Sequence, residues 1–296
     1  MRRAAILCLC LVACVVRLKP DTTYAATAQA PAMRIVSTSP SITETLFALG
    51  LGSRVVGVSR FCRFPPAVAA LPKVGTFLQP DAELIARLTP DLTIINSKAN
   101  DIDRRLTTLR IPFVTVEQGG LATVFESIRA IGRAAGIPAR ATSLIGDIES
   151  RLNRIRAAVA GRKPQRVLLI VGRRPGTLTD LVAVGRSSYM SDLATIAGGV
   201  NVLDDPRLPE YPRISMETVI RLAPDLNVDA GDMGDTVEEH VRRQPTTERL
   251  WRQQANVKAV QTNGIHAVTS DAFVVPGPRV VEAAETLARW LAALDR

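Results

Sequence analysis

The chain of 296 residues is 47% hydrophobic and 22% charged, the balance of a folded globular protein and not of a disordered or collagen-like one. Its formal charge of +9 is spread over many arginine-bearing segments, with no lysine-rich run and no interleaved aromatics, which argues against a nucleic-acid partner. The longest uninterrupted apolar run, Ala4 to Val16, is 13 residues, short of the roughly 20 that a membrane-spanning helix needs.

That run follows Arg2 and Arg3 and reads as a secretory leader over residues 1–31. Two ends fit it. Leu11-Val12-Ala13-Cys14 has the form of a lipobox, with Cys14 as the lipidated residue and the chain held at the membrane surface, while Ala26-Thr27-Ala28 and Ala28-Gln29-Ala30 are small-residue cleavage sites. Either end places the protein outside the cytoplasm. Cysteines 8, 10 and 14 fall in the leader, so Cys62 stands alone in the folded part and no intramolecular disulfide forms.

From Met33 the pattern alternates strand and helix. Arg34 to Ser37 is β-rich, Ser41-Ile42-Thr43-Glu44 reads as a capping box opening a helix that stops at Gly50, and Arg54 to Ser59 is again a strand. Helices at Ala82 to Leu88 and Asp101 to Leu109 separate strands at Leu92 to Asn96 and Pro112 to Glu117. Gly136-Ile137-Pro138 then divides two helices. In the second, Leu144, Ile145, Ile148, Leu152, Ile155 and Val159 recur at three and four, one apolar stripe on a helix running from Pro138 to Ala160. Arg166 to Val171 opens a second α/β unit. The expected architecture is therefore an α/β lobe over 32–137, a backbone helix over 138–161 and a second α/β lobe over 162–296, with a small hinge movement between the lobes.

An internal echo supports two equivalent lobes. Glu83-Leu-Ile-Ala-Arg-Leu-Thr-Pro-Asp-Leu92 recurs as Glu217-Thr-Val-Ile-Arg-Leu-Ala-Pro-Asp-Leu226, six identities in ten at an offset of 134, and Phe77 and Tyr211 stand at the same offset upstream. In open α/β sheets the loops beyond the strand C-termini form the ligand crevice. In the first lobe this rule selects Ser39-Pro40-Ser41, the loop from Ser59 to Phe64 with Phe61, and Phe77. In the second it selects Gly172-Arg173-Arg174, Tyr211 and Asp271-Ala272-Phe273, while Tyr189 either lines the cleft or covers a helix end. These groups are aromatic or cationic. Phosphate-binding glycine loops, a dinucleotide fingerprint and a nucleophile elbow are missing, and the two histidines, His240 and His266, both lie in the C-terminal half. The reading is a non-enzymatic protein with no metal or cofactor of its own.

The run Ile35-Val36-Ser37 with Ser39-Pro40-Ser41-Ile42-Thr43-Glu44, Val56-Gly57-Val58-Ser59 with Phe64-Pro65-Pro66, Lys73-Val74-Gly75, Leu250-Trp251, Asn263-Gly264 and Pro276-Gly277-Pro278-Arg279 resembles the periplasmic solute-binding proteins of ABC importers for vitamin B12 and ferric siderophores. The resemblance covers essentially the whole chain after the leader. It implies two three-layer α/β lobes joined by one long helix, the class III arrangement, and a monomer that hands its solute to an inner-membrane permease dimer with its ATPase. Within the family, the spacing of Phe61, Phe64-Pro65-Pro66, Phe77 and Tyr211-Pro212 is most similar to cobalamin-binding members, with haem and ferric siderophores as the alternative ligands. Arg63 replaces an acidic residue frequent at its place. The expected ligand contacts are Phe61, Phe77, Tyr189, Tyr211 and Phe273, with Arg173 or Arg174 meeting polar groups at the ligand edge; Glu83 and Glu217 match the carboxylates that dock on permease arginines.

Overall fold

The computed structural model describes residues 34–294 except 98, 100 and 232–236, and gives the backbone alone for 237–241. The leader and Cys14 lie outside the described residues. Among those described, no helix is long and apolar enough to cross a membrane.

The first half builds a parallel sheet. Its strands are β1 (Ile35–Ser37), β2 (Val55–Val58), β3 (Leu92–Asn96) and β4 (Phe113–Val116), in the order β2-β1-β3-β4, and α1 (Pro40–Ala48), α2 (Ala82–Arg87) and α3 (Ile102–Thr108) connect them. All five residues of β3 are buried, as expected for a parallel strand covered on both faces. Next come α4 (Leu121–Ala134) and the 22-residue α5 (Pro138–Val159), about 33 Å long at 1.5 Å per residue.

The second half adds β5 (Gln165–Gly172), β6 (Leu181–Ala183), α6 (Tyr189–Ile196), β7 (Gly199–Asn201), β8 (Arg213–Ile214), α7 (Met216–Leu222), β9 (Leu226–Asp229), α8 (Val237–Arg252), α9 (Lys258–Gln261), β10 (Ile265–Ala267) and α10 (Val280–Leu294). Its sheet runs β10-β9-β5-β6-β8, with β7 also paired to β5. β9, β10 and β7 are parallel to their neighbours, whereas β6 is antiparallel to both β5 and β8. Thus the second sheet is mixed, where the first is purely parallel.

The sequence echo has a physical cause in both halves. Arg34 donates from its backbone N–H to Asp91 Oδ2 at 2.9 Å and from its guanidinium to the Leu88 carbonyl at 2.7 Å. Arg166 does the same to Asp225 Oδ2 at 2.8 Å and to the Leu222 carbonyl at 2.6 Å. The Arg-Leu-x-Pro-Asp-Leu string ends a helix and starts a strand, and the arginine of the neighbouring strand holds the junction by neutralising the helix-end carbonyls. Upstream, Asp81 caps α2 by accepting from Glu83 and Leu84 N–H, and Ser215 at the equivalent place caps α7 by accepting from Thr218 N–H.

The start of α1 differs from the sequence reading. The helix begins at Pro40 with Ser39 as its N-cap residue, and the Ser41–Glu44 capping box does not form. Ser41 Oγ meets Ser39 Oγ at 3.1 Å, and Glu44 turns instead to Arg279. A half-buried cation outcompetes a local backbone N–H for that carboxylate.

One apolar core passes from lobe to lobe. Ile42 and Leu46 of α1, Val124, Ile128 and Ile131 of α4, Ile145, Ile148 and Leu152 of α5, Leu193 of α6 and Leu287 of α10 belong to a single buried cluster. The α5 stripe read from the sequence thus faces helices of both halves. Two smaller cores close the outer faces, one around Ile85, Ile95 and Leu106 and one around Leu168, Val219 and Trp251.

Candidate functional site: an aromatic-walled interlobe cleft

Loops from both halves meet around a cavity of about 620 Å³, within the usual range for small-molecule sites. On the first lobe, the loop after β2 carries Phe61 and Arg63. A tight turn presents Phe77 and Leu78, with Thr76 N–H donating to the Gln79 carbonyl at 3.1 Å. Gly75 starts that turn at φ +95°, and a Cβ there would lie 2.6 Å from the Gln79 carbonyl oxygen, so only glycine fits. Phe61 and Phe77 meet edge to face with centroids 6.4 Å apart. Ser39, Pro40 and Ser41 at the head of α1, and Gln118 and Gly119 after β4, complete this wall.

The opposite wall comes from the second lobe: Val171 at the end of β5, Tyr189 and Met190 at the start of α6, Glu210 and Tyr211, and the segment with Asp271, Val274, Val275 and Pro276. Gly185 fixes the height of Tyr211. Its N–H donates to the Glu210 carbonyl at 2.8 Å, and a Cβ at this position would lie 2.4 Å from the Pro209 carbonyl oxygen. Tyr211 lies 3.5 Å, hydroxyl to hydroxyl, from Ser188, and burial pushes its phenol up to about 12, so it stays neutral. Tyr189 is buried and donates to the Phe273 carbonyl at 2.8 Å; burial holds its phenol well above the ordinary value.

Two joints tie the walls together at the floor. In the first, Tyr189 N–H donates to the Gly119 carbonyl at 3.1 Å, and Asp192 of α6 accepts from Leu121 N–H at 2.7 Å, placing a carboxylate at the N-terminus of α4. In the second, Arg279 Nε donates to Glu44 Oε2 at 2.9 Å and its terminal nitrogen donates to Asp271 Oδ1 at 2.7 Å, while the guanidinium lies 4.0 Å from the centroid of the Phe64 ring. Burial raises the Glu44 carboxyl to about 6 in spite of the adjacent arginine.

The structure brings Phe61, Phe77, Tyr189 and Tyr211 to the lining and leaves the other three expected ligand contacts elsewhere. Arg173 is a buried structural cation: Nε donates to Asp229 Oδ2 at 2.9 Å and another guanidinium nitrogen to Thr247 Oγ1 at 2.7 Å, while Trp251 Nε1 closes on the same carboxylate at 2.6 Å. A charge placed so deep must be paired, and Asp229 supplies the pair. Arg174 is exposed and bound to Asp180 at 2.8 Å. Phe273 is buried against Trp290, with centroids 5.5 Å apart, and Trp290 also stacks on His266 at 4.4 Å. Cys62 lies buried behind the Phe61 loop, 3.1 Å from Thr43 Oγ1, with its thiol pushed up by burial to about 11.

The Glu44–Arg279 joint was not foreseen. Its signal was the polar Ser41-x-x-Glu44 string together with a lone arginine after Pro276-Gly277-Pro278, neither of which names the other. Glu83 and Glu217 both sit exposed in the first turns of α2 and α7. Glu83 accepts two bonds from Arg105, at 2.6 and 2.8 Å. Among the described residues, no group of three or more histidine, cysteine or acidic side chains is placed to hold a metal.

Two α/β lobes, one long bridging helix and an aromatic cleft pinned at its floor define a ligand-binding protein of the two-lobed kind. Residues 35–272 match the family model for periplasmic binding proteins, and the chain belongs to that family. A vitamin B12-binding protein of Vibrio cholerae is 29% identical over 264 residues, 88% of this chain and 90% of its own. Among solved structures, the periplasmic vitamin B12 binding protein of Vibrio cholerae superposes with a TM-score of 0.72 at 27% identity, covering 90% of this chain and 99% of its own. A periplasmic heme-binding protein from Roseiflexus sp. RS-1 gives 0.74 at 27% identity, covering 89% and 99%.

Proposed function

We propose that this protein captures a corrinoid of the vitamin B12 type in the interlobe cleft outside the cytoplasm and delivers it, as a monomer and without chemical turnover, to an ABC import permease. The observation that carries the reading is the facing pair of aromatic walls, Phe61 and Phe77 on one lobe and Tyr211 on the other, around an apolar cavity. Flat apolar area on two sides suits a macrocycle, since aromatic faces stack on ring systems and carry a large hydrophobic contribution. The vitamin B12-binding relatives support the same ligand class. A visible-absorbance titration tests it: cyanocobalamin retained one-to-one after gel filtration supports the reading, and cyanocobalamin running wholly free refutes it.

A second reading, haem in the same cleft, has the support of the Roseiflexus neighbour, which matches at the same 27% identity as the vitamin B12 binding structure. In either case Glu83 and Glu217 are the proposed docking carboxylates. Their matching places in the two halves suit a permease with twofold symmetry, and rim charges of this kind orient a partner and speed its encounter.

A further inference from the structure

The two halves present their matching glutamates differently. At the offset of 134 that relates the lobes, Asp81, Glu83 and Arg87 correspond to Ser215, Glu217 and Arg221, so α2 and α7 each carry a glutamate in the first turn and an arginine in the last. Around the glutamates the match ends. In the first lobe α3 packs beside α2 and sets Arg105 on Glu83, where one guanidinium nitrogen, Nη2, donates to both carboxylate oxygens at 2.6 and 2.8 Å. Asp81 feels the same cation: its carboxyl is held below the ordinary value by the Leu84 N–H that it caps and, further, by the charge of Arg105. In the second lobe the place of Asp81 is taken by the neutral Ser215, whose hydroxyl holds the Glu217 carboxyl below its ordinary value. Among the described residues, no arginine or lysine is paired with Glu217.

We propose that the two docking contacts are unequal: Glu217 meets a cation of the permease directly, while Glu83 must first give up Arg105, so that the second lobe carries the larger share of the docking affinity and Arg105 acts as a built-in competitor on the first. The proposal rests on the reading of Glu83 and Glu217 as docking carboxylates. Two effects oppose the first-lobe contact. The Glu83–Arg105 pair has to be broken, and the released guanidinium then faces the incoming cation, a like-charge approach that slows encounter. Both side chains of the pair are about half exposed, at 48% and 64%, and an exposed pair shifts an equilibrium by at most roughly fivefold. Asp81 also gives the displaced guanidinium a second carboxylate to turn to. Arg105 therefore weakens the contact without blocking it, as suits a protein that docks and leaves in every cycle of delivery.

The test measures binding of the purified protein to its permease dimer in lipid nanodiscs, by surface plasmon resonance at low salt. Arg105→Gln should tighten docking about threefold, and Glu217→Ala should weaken it at least about threefold more than Glu83→Ala does. Repeated on Arg105→Gln protein, the two alanine substitutions should cost nearly the same. Arg104→Gln makes the same change of net charge one residue away, on a side chain 83% exposed, and should leave docking unchanged. Docking unmoved or weakened by Arg105→Gln, tightened equally by Arg104→Gln, or lowered as much by Glu83→Ala as by Glu217→Ala overturns the proposal and leaves the docking reading standing. Full docking in both Glu83→Ala and Glu217→Ala refutes the docking reading and the proposal together.

Discussion

Arg279 and Glu44, 235 residues apart in the chain, form a two-pronged ion pair beneath the cleft. The contact joins the head of α10 to α1, and through Asp271 and the Phe64 ring it reaches a loop on each side of the cavity. Removing one member of a buried pair leaves the other uncompensated, which typically costs about 3–5 kcal/mol. Arg279→Ala should therefore lower the melting temperature and weaken ligand binding together, while Arg279→Lys should keep the charge and recover part of the stability without the forked geometry. Thermal unfolding and a ligand titration on the two variants check this, and full affinity in Arg279→Ala would show that the joint does not shape the cleft.

The same carboxylate gives a pH signature. Glu44 has a folded value raised from 4.5 to about 6, so the folded protein holds a proton there that the unfolded chain releases. Its contribution to stability is complete below about 4.5 and is lost as the pH rises through about 6. Relative to Glu44→Gln, the wild type should gain about 1 kcal/mol between pH 7 and pH 5. Paired denaturant curves at the two pH values read this directly, and parallel curves would contradict it.

Phe77 and Tyr211 project into the cleft from loops and contribute little to the cores. Alanine at either should weaken binding of the cleft ligand by about 2 kcal/mol, roughly thirtyfold in Kd, with a melting temperature close to wild type. A large loss of stability in these variants would instead make them structural residues.

Arg173 and Arg174 are neighbours with opposite expectations. Arg174→Ala removes an exposed pair and should change stability by less than about 1 kcal/mol. Arg173→Ala strands Asp229 in the interior and should cost about 3–5 kcal/mol. Denaturant midpoints for the two variants decide it, and equal effects would contradict the buried network.

Cys62 should be inert. With its thiol at about 11 and its side chain buried, almost none is thiolate at neutral pH. Alkylation by iodoacetamide should be slow in the native state and fast in denaturant, and rapid native labelling would show that the Phe61 loop opens.

For the docking carboxylates, Glu83→Ala combined with Glu217→Ala should abolish uptake of the ligand by cells while leaving its Kd intact. Unchanged uptake would remove both residues from the interface.

Local chemistry made much of this fold legible. The period of α5, the glycine and proline punctuation at 136–138 and the repeated Pro-Asp-Leu strings depend on a few adjacent residues, and so their physics is written in adjacent residues. The crevice rule for α/β sheets likewise located Phe61, Phe77 and Tyr211, which stand on loops that border the cleft. The same rule selects Arg173 wrongly, because the first residue beyond β5 can turn inward, and the partner that draws it in, Asp229, lies on another strand. The reading of Glu44 fails for a like reason, a partner distant in the chain. A capping box is a local pattern, whereas its competitor Arg279 is brought to it only by tertiary folding.

Calorimetric titration of cyanocobalamin into the purified protein tests the central claim most directly. Saturable one-to-one binding at sub-micromolar affinity, lost in the combined Phe77→Ala and Tyr211→Ala variant, is the predicted result. An absence of heat at high ligand concentration, with haemin binding saturably in the same cleft, would contradict it.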